Sequence, residues 1–403
     1  MEFKKINLYS YLFNIFFISN IVLWPIKFQS QLNIRFNIII VIMIALVLVC
    51  KNFISNRTFK NTIFIGAILL IHELIVFFVD SDYVNFKSIL SIPVIITLVF
   101  VASELGVRSK PKDWLGLERV SILVLVIVFL SILCEIIFPE FFPKTAVYRM
   151  GGIFSGIYDE PSHLGFSIIP CLLILTISNN KLTVATGIFF SILFLYLSPS
   201  STLKVLIAIS TFVVFIKKTS FIKLTTIFLL LILLTFQIDS LEKKINDVLI
   251  KTTDIVYQSG NNLSSLVYKQ GLSDAITNFR ETFGLGVGLN MMGVKINENE
   301  FRKKINLIGL EGLNNEDGSF LASKGISELG ILFIYFYLLL VFIFFKTYIK
   351  DIKNYKRDEN HIKALIIFAF LLTSILRSSG YFCGTLSLAL LAFFSQSRLF
   401  SYK

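Results

Sequence analysis

The sequence predicts an all-α, polytopic membrane protein: about twelve transmembrane helices and one large, partly helical outer loop. Three observations predict it. Hydrophobic residues make up 55% of the 403 residues and charged ones only 16%, against roughly 45–50% and about 25% in soluble domains. Mean hydropathy is +0.78. The apolar residues fall in runs separated by short polar stretches. One soluble core cannot hold so much apolar surface, which excludes soluble α/β catalysis. The net charge of +12 is topogenic charge in such a chain rather than a nucleic-acid footprint.

The spans follow from the length that a helix needs to cross hydrocarbon, about 20 residues. They read as 7–25, 36–50, 62–79, 88–104, 120–138, 161–178, 181–197, 201–217, 221–238, 327–346, 361–377 and 379–397. The pairs 161–197 and 361–397 are tight hairpins. The first run follows Met-Glu-Phe-Lys-Lys without a small-x-small cleavage site and reads as a signal-anchor. With the N-terminus inside, inner segments carry about three times the Lys and Arg of the short outer ones. Both termini are then cytoplasmic. The organisation is a nine-span bundle over 1–238, a large outer loop over 239–326, and three spans of the same membrane domain over 327–403. Within the loop, apolar residues recur at helical spacing twice, from Leu241 to Ile255 and from Leu263 to Phe279. Two amphipathic helices on the outer membrane face are expected.

Cys50, Cys134, Cys171 and Cys383 lie far apart in apolar runs with no CxxC or Cys/His grouping. They read as small packing residues, with no metal site and no cofactor expected.

Ionisable groups inside spans cost about 2.5–3.5 kcal/mol each on insertion scales, so they mark function. Here they are His72, Glu73, Glu135, His163 and Lys204. The orientation puts all five in outer halves, which predicts a polar cavity open to the outer side. The outer loops point there too. Residues 145–165 read TAVYRMGGIFSGIYDEPSHLG: Arg149 precedes glycines, and Asp159 and Glu160 stand before Pro161, a good first helical residue. Either carboxylate suits the helix dipole or can act as a general base on a hydroxyl. In 280–290, RETFGLGVGLN, the glycines can bring backbone N–H groups to an anion, and a tight turn is the alternative. Residues 314–330, NNEDGSFLASKGISELG, supply Asp317 and Glu328. The planar guanidinium forks of Arg149, Arg280 and Arg377 suit a diphosphate.

These motifs resemble the O-antigen polymerase (Wzy-type) family, within the O-antigen ligase/polymerase superfamily. The likeness rests on the RMGGIFSGIYDEPS loop from Arg149, on LSPSSTLKVL from Leu197, on FGLGVGLN from Phe283, and on GSFLASKGISELGIL from Gly318. In the second, Thr202 fills a place where the superfamily often has Arg, and Lys204 substitutes. The ligase branch has His-Asn before the fourth segment; the outer loop here has no histidine, which favours a polymerase. The resemblance implies an enzyme of the bacterial inner membrane. It would join oligosaccharide repeat units carried on undecaprenyl diphosphate at the periplasmic face, with loss of the lipid diphosphate. It implies Arg149, Arg280, Arg377, Lys204 and His163 as substrate ligands, and Glu160, then Asp159 or Asp317, as base. Membrane lipids and a chain-length-regulating co-polymerase are the implied partners, with no nucleic acid and no cofactor. The alternatives are a flippase or transporter of lipid-linked oligosaccharide, and an O-antigen ligase.

Overall fold

The computed structural model describes residues 2–26, 35–79, 86–142, 154–198, 200–215, 263–294, 298–307, 309–313, 315–316, 318–352, 358–377 and 380–396. These residues are helical throughout, with turns between and no strand among them. The helices are α1 (Glu2–Ile18), α2 (Phe36–Cys50), α3 (Asn56–Val79), α4 (Phe86–Arg108), α5 (Pro111–Ile137), α6 (Pro161–Thr176), α7 (Lys181–Leu197) and α8 (Ser201–Phe215). After the loop come α9 (Leu263–Glu281), α10 (Glu300–Leu307), α11 (Leu321–Leu329), α12 (Ile331–Ile352), α13 (Glu359–Leu376) and α14 (Gly384–Gln396). Five helices are long and apolar enough to cross a membrane: α3, α4, α5, α12 and α13. Shorter apolar helices include α2, α6, α7 and α14. The expected span 221–238 and the first amphipathic stretch of the loop lie outside the described residues.

Helix starts follow local chemistry. Pro111 and Pro161 open α5 and α6 where their missing N–H groups are not needed. The Asn180 side chain accepts the Leu182 N–H at the head of α7, and Asp358 accepts the His361 N–H at the head of α13. Such caps contribute about 1 kcal/mol each.

Helices α6, α13 and α14 are buried on nearly every side, and α6 hides all its residues from Leu164 to Leu175. A helix apolar all round belongs in a core. Around them, α3, α7 and α12 turn large apolar side chains outward: Phe78 is 81% exposed and Tyr196 81%. A water-soluble protein rarely shows such a continuous apolar exterior, whereas hydrocarbon accepts it.

Two local departures shape the site. A π-helical turn, Ser19–Leu23, continues α1. Its Asn20 bonds Asn37 at 3.1 Å, and a Cβ on Gly384 would strike the Asn20 carbonyl. This lets α14 begin against the bulge. The second departure corrects the expected span 327–346. Gly330 (φ +55°) ends α11, and α12 starts afresh at Ile331. A side chain on Gly330 would meet the Gly284 carbonyl, so the break is where the glycine turn passes.

Candidate functional site

Two polar clusters gather where α3, α5, α6, α12, α13 and α14 begin or end. The first is centred on Glu160, the residue before α6. Its loop is fixed from below by Glu135, whose carboxylate accepts the Ser155 and Gly156 N–H groups at 2.9 and 2.8 Å. Tyr158, fully buried, donates to the Ile21 carbonyl at 3.0 Å. On that platform Glu160 accepts from Ser162 at 2.9 Å and from Arg377, the last residue of α13's C-terminal cap, at 3.1 Å. His163 Nε2 lies 4.0 Å from the same oxygen. The His163 ring packs on Trp24 and Phe166, with centroids 5.5 and 5.3 Å away. Arg35 covers the other part of this wall, its guanidinium 4.6 Å from the Trp24 ring centre.

Burial works against the charged form of Glu160. The nearby His163 ring, the Arg377 guanidinium and the Ser162 and Arg377 hydrogen bonds outweigh it, so the carboxyl sits below the usual glutamate range. Glu160 is therefore an ionised partner for Arg377.

The second cluster surrounds the glycine turn 283–292. Phe283, Gly284, Gly286, Gly288 and Asn290 all have positive φ. Each amide from Gly284 to Met292 has an internal acceptor. Gly284 and Leu285 donate to the Phe279 and Thr282 carbonyls, and Gly286 to the Thr282 hydroxyl. Val287 and Gly288 donate to the Ser327 and Glu328 carbonyls at 2.9 Å, and Met291 to the Gly288 carbonyl. Leu289 donates to Glu73 at 3.0 Å, while Asn290 and Met292 donate to Glu328 at 2.8 and 3.2 Å. The turn does collect anions, as its glycines suggest, but they are the protein's own carboxylates.

His72 holds the turn from α3. Its Nε2 faces the Leu285 carbonyl at 2.8 Å and its Nδ1 faces Glu73 at 3.1 Å. A carbonyl can only accept, so Nε2 carries a proton. Nδ1 then meets a carboxylate oxygen, and a second proton lies between them. The pair is an imidazolium beside a carboxylate, or its neutral tautomer. Across the turn, Lys324 donates to the Glu316 carbonyl at 2.6 Å and stands 3.5 Å from Glu328. The buried Tyr381 hydroxyl lies beside Glu328, and the Lys324 ammonium is 5.7 Å from its ring centre. Farther out, Arg302 of α10 grips Asp274 of α9 at 2.7 Å and closes the loop helices on each other.

Of the candidate residues, the structure brings together Glu160, Arg377 and His163. Asp159 is exposed beside them. Lys204 is buried in α8, which packs against α6. Arg280 lies exposed in the last turn of α9, and among the described residues no ion pair joins it to Glu160. Arg149 and Asp317 lie outside the described residues. Sequence reasoning did not single out Arg35, Trp24, Lys324 or Tyr381. The available signals were an aromatic and an arginine bracketing the first outer turn, and a lysine four residues before Glu328.

A scan against protein-family models finds no match to the chain, and a search of curated proteins finds no significant one either.

Proposed function

We propose that the protein is a membrane glycosyltransferase, an O-antigen (surface polysaccharide) polymerase. It joins undecaprenyl-diphosphate-linked oligosaccharide repeat units at the periplasmic face of the inner membrane. The observation that carries this reading is the Glu160–Arg377 pair, 3.1 Å apart beside His163 at the ends of two apolar helices. An arginine and a carboxylate at that level suit a lipid whose charged head must sit at the edge of the hydrocarbon.

In the proposed reaction, an acceptor hydroxyl attacks the anomeric carbon of the donor chain. The new C–O bond forms as the bond to the lipid diphosphate breaks. The diphosphate leaves with the electron pair, stabilised by Arg377 and by the neighbouring Arg35. The hydroxyl proton passes to a carboxylate at the head of α6, Glu160 or the exposed Asp159, or to Asp317. Attack opposite the leaving group inverts the anomeric centre. The donor is already activated, so the reaction needs no nucleotide.

Deleting the gene tests the reading. A polymerase deletion leaves surface lipid capped by a single repeat unit. Loss of every repeat unit points instead to a flippase or ligase. With purified protein and lipid-linked repeat units, R377A abolishes chain growth while the variant still inserts; undiminished chain growth overturns the site assignment.

A further inference from the structure

We infer that residues 283–292 form a re-entrant loop that enters the bilayer beside α3, and that Phe283 meets lipid acyl chains. The inference does not depend on the polymerase reading.

The depth follows from where the turn is attached. Its Leu285 carbonyl binds His72 and its Leu289 amide binds Glu73. These residues lie seven and six positions before Val79, the end of α3, or about 10 and 9 Å down the helix axis at 1.5 Å per residue. On the next helix, Ser88 donates to the Leu289 carbonyl and Asn290 donates to Ser91 at 2.5 Å. Both serines lie in the first two turns of α4. On the third side, the Gly284 carbonyl accepts the Ile331 N–H at 2.8 Å, at the first residue of α12. The turn is thus held by three helices long and apolar enough to span.

Helix length decides whether this level is inside the hydrocarbon. The 24 residues of α3 extend about 36 Å, against a core of about 30 Å. If the whole excess of about 6 Å projected beyond Val79, the His72 contact would still lie about 4 Å below the boundary. Apart from His72 and Glu73, which hold the turn, the polar residues of α3 are Asn56, Arg57, Thr58, Lys60, Asn61 and Thr62, at the opposite end, so the excess belongs there and the contact lies deeper.

Two features of the turn fit that environment. Irregular backbone at membrane depth must satisfy its amides within the protein, and every amide from Gly284 to Met292 does so. Phe283 adopts φ +53° and is 97% exposed. A bulky residue in the left-handed region costs on the order of 1–3 kcal/mol, and in water an exposed ring returns nothing for it. Against acyl chains the ring is solvated. It then continues the apolar exterior of the helices that hold the turn, where Phe78 and Ile331 are also exposed.

The test uses the full chain in phosphatidylcholine bilayers. The native Trp24 and Trp114 are buried and give a constant background. F283W should add a blue-shifted emission that is lost when the acyl chains carry bromine and is untouched by aqueous iodide. L307W, on an 81% exposed position of α10, should show the reverse. I331W, at the start of α12, provides a second reporter if F283W does not insert, with the same expectation. Iodide quenching of the Phe283 reporter equal to that at Leu307, with no loss to brominated lipid, overturns the inference and leaves the ring facing water or a soluble ligand.

Discussion

Glu160 and Arg377, 217 residues apart in the chain, meet at 3.1 Å and tie the head of α6 to the end of α13. The N-cap of α6 makes no side-chain hydrogen bond to its helix, while the Arg377 N–H closes α13 on the Thr373 carbonyl at 3.0 Å. The ion pair therefore joins the N-terminus of one helix to the C-terminus of the other.

Energetic coupling between the two residues is the first prediction. Their side chains are 36% and 22% exposed, so solvent screens the pair and its worth is about 1 kcal/mol or less. In a double-mutant cycle, E160Q and R377M should each lower the thermal midpoint, and the double variant should lose less than the sum. Strict additivity would show that the contact is not made in the membrane-embedded protein.

Acidity should act on the same pair. The carboxyl of Glu160 is lower in the folded protein than in the unfolded chain. Its stabilisation is then complete above the ordinary glutamate value of about 4.3 and is lost as pH falls below it. The stability gap between wild type and E160Q should be flat from neutral pH down to that value and shrink below it. A gap that widens on acidification contradicts the assignment.

One change on α3 should loosen the glycine turn. H72F leaves the Leu285 carbonyl without its donor and Glu73 without its proton, costing on the order of 1–3 kcal/mol per stranded group. Hydrogen exchange of the amides from Gly286 to Met292 should accelerate while the core of α6 keeps its protection. Unchanged exchange in the turn would mean that His72 does not hold it.

Two glycines separate backbone strain from collision. Gly286 (φ +86°) would push a Cβ into the Glu328 carbonyl, whereas Gly309 (φ +78°) has nothing within 4 Å. G309A should cost only the left-handed backbone penalty of about 1–2 kcal/mol. G286A should cost clearly more, read as the larger fall in unfolding midpoint, and should loosen the contact between the turn and α11. Equal falls would refute the packing at Gly286.

The helices were largely legible because apolar length reports them directly: 36–50 and 181–197 coincide with α2 and α7 to the residue. The break at Gly330 was not, because hydropathy is blind to a backbone angle and Glu328 looks like the polar rim of a span. His72, Glu73, Glu135, His163 and Lys204 stood out as costly residues in apolar runs, yet composition does not say what each one binds. Glu135 holds two loop amides, and His72 with Glu73 holds the turn. Glu104, at the end of an expected span, passed unremarked. It is fully buried and accepts from Ser55 at 2.9 Å and Arg108 at 2.9 Å. Arg377 and Glu160 each looked like a candidate; only three-dimensional closure could pair them.

Arg377 and Tyr381 leave the same helix end four positions apart. One touches Glu160, and the other lies against Glu328. Side chains only four positions apart thus serve both polar clusters, the guanidinium at the head of α6 and the phenol at the glycine turn. An insertion or deletion between these two positions would therefore disturb both clusters at once.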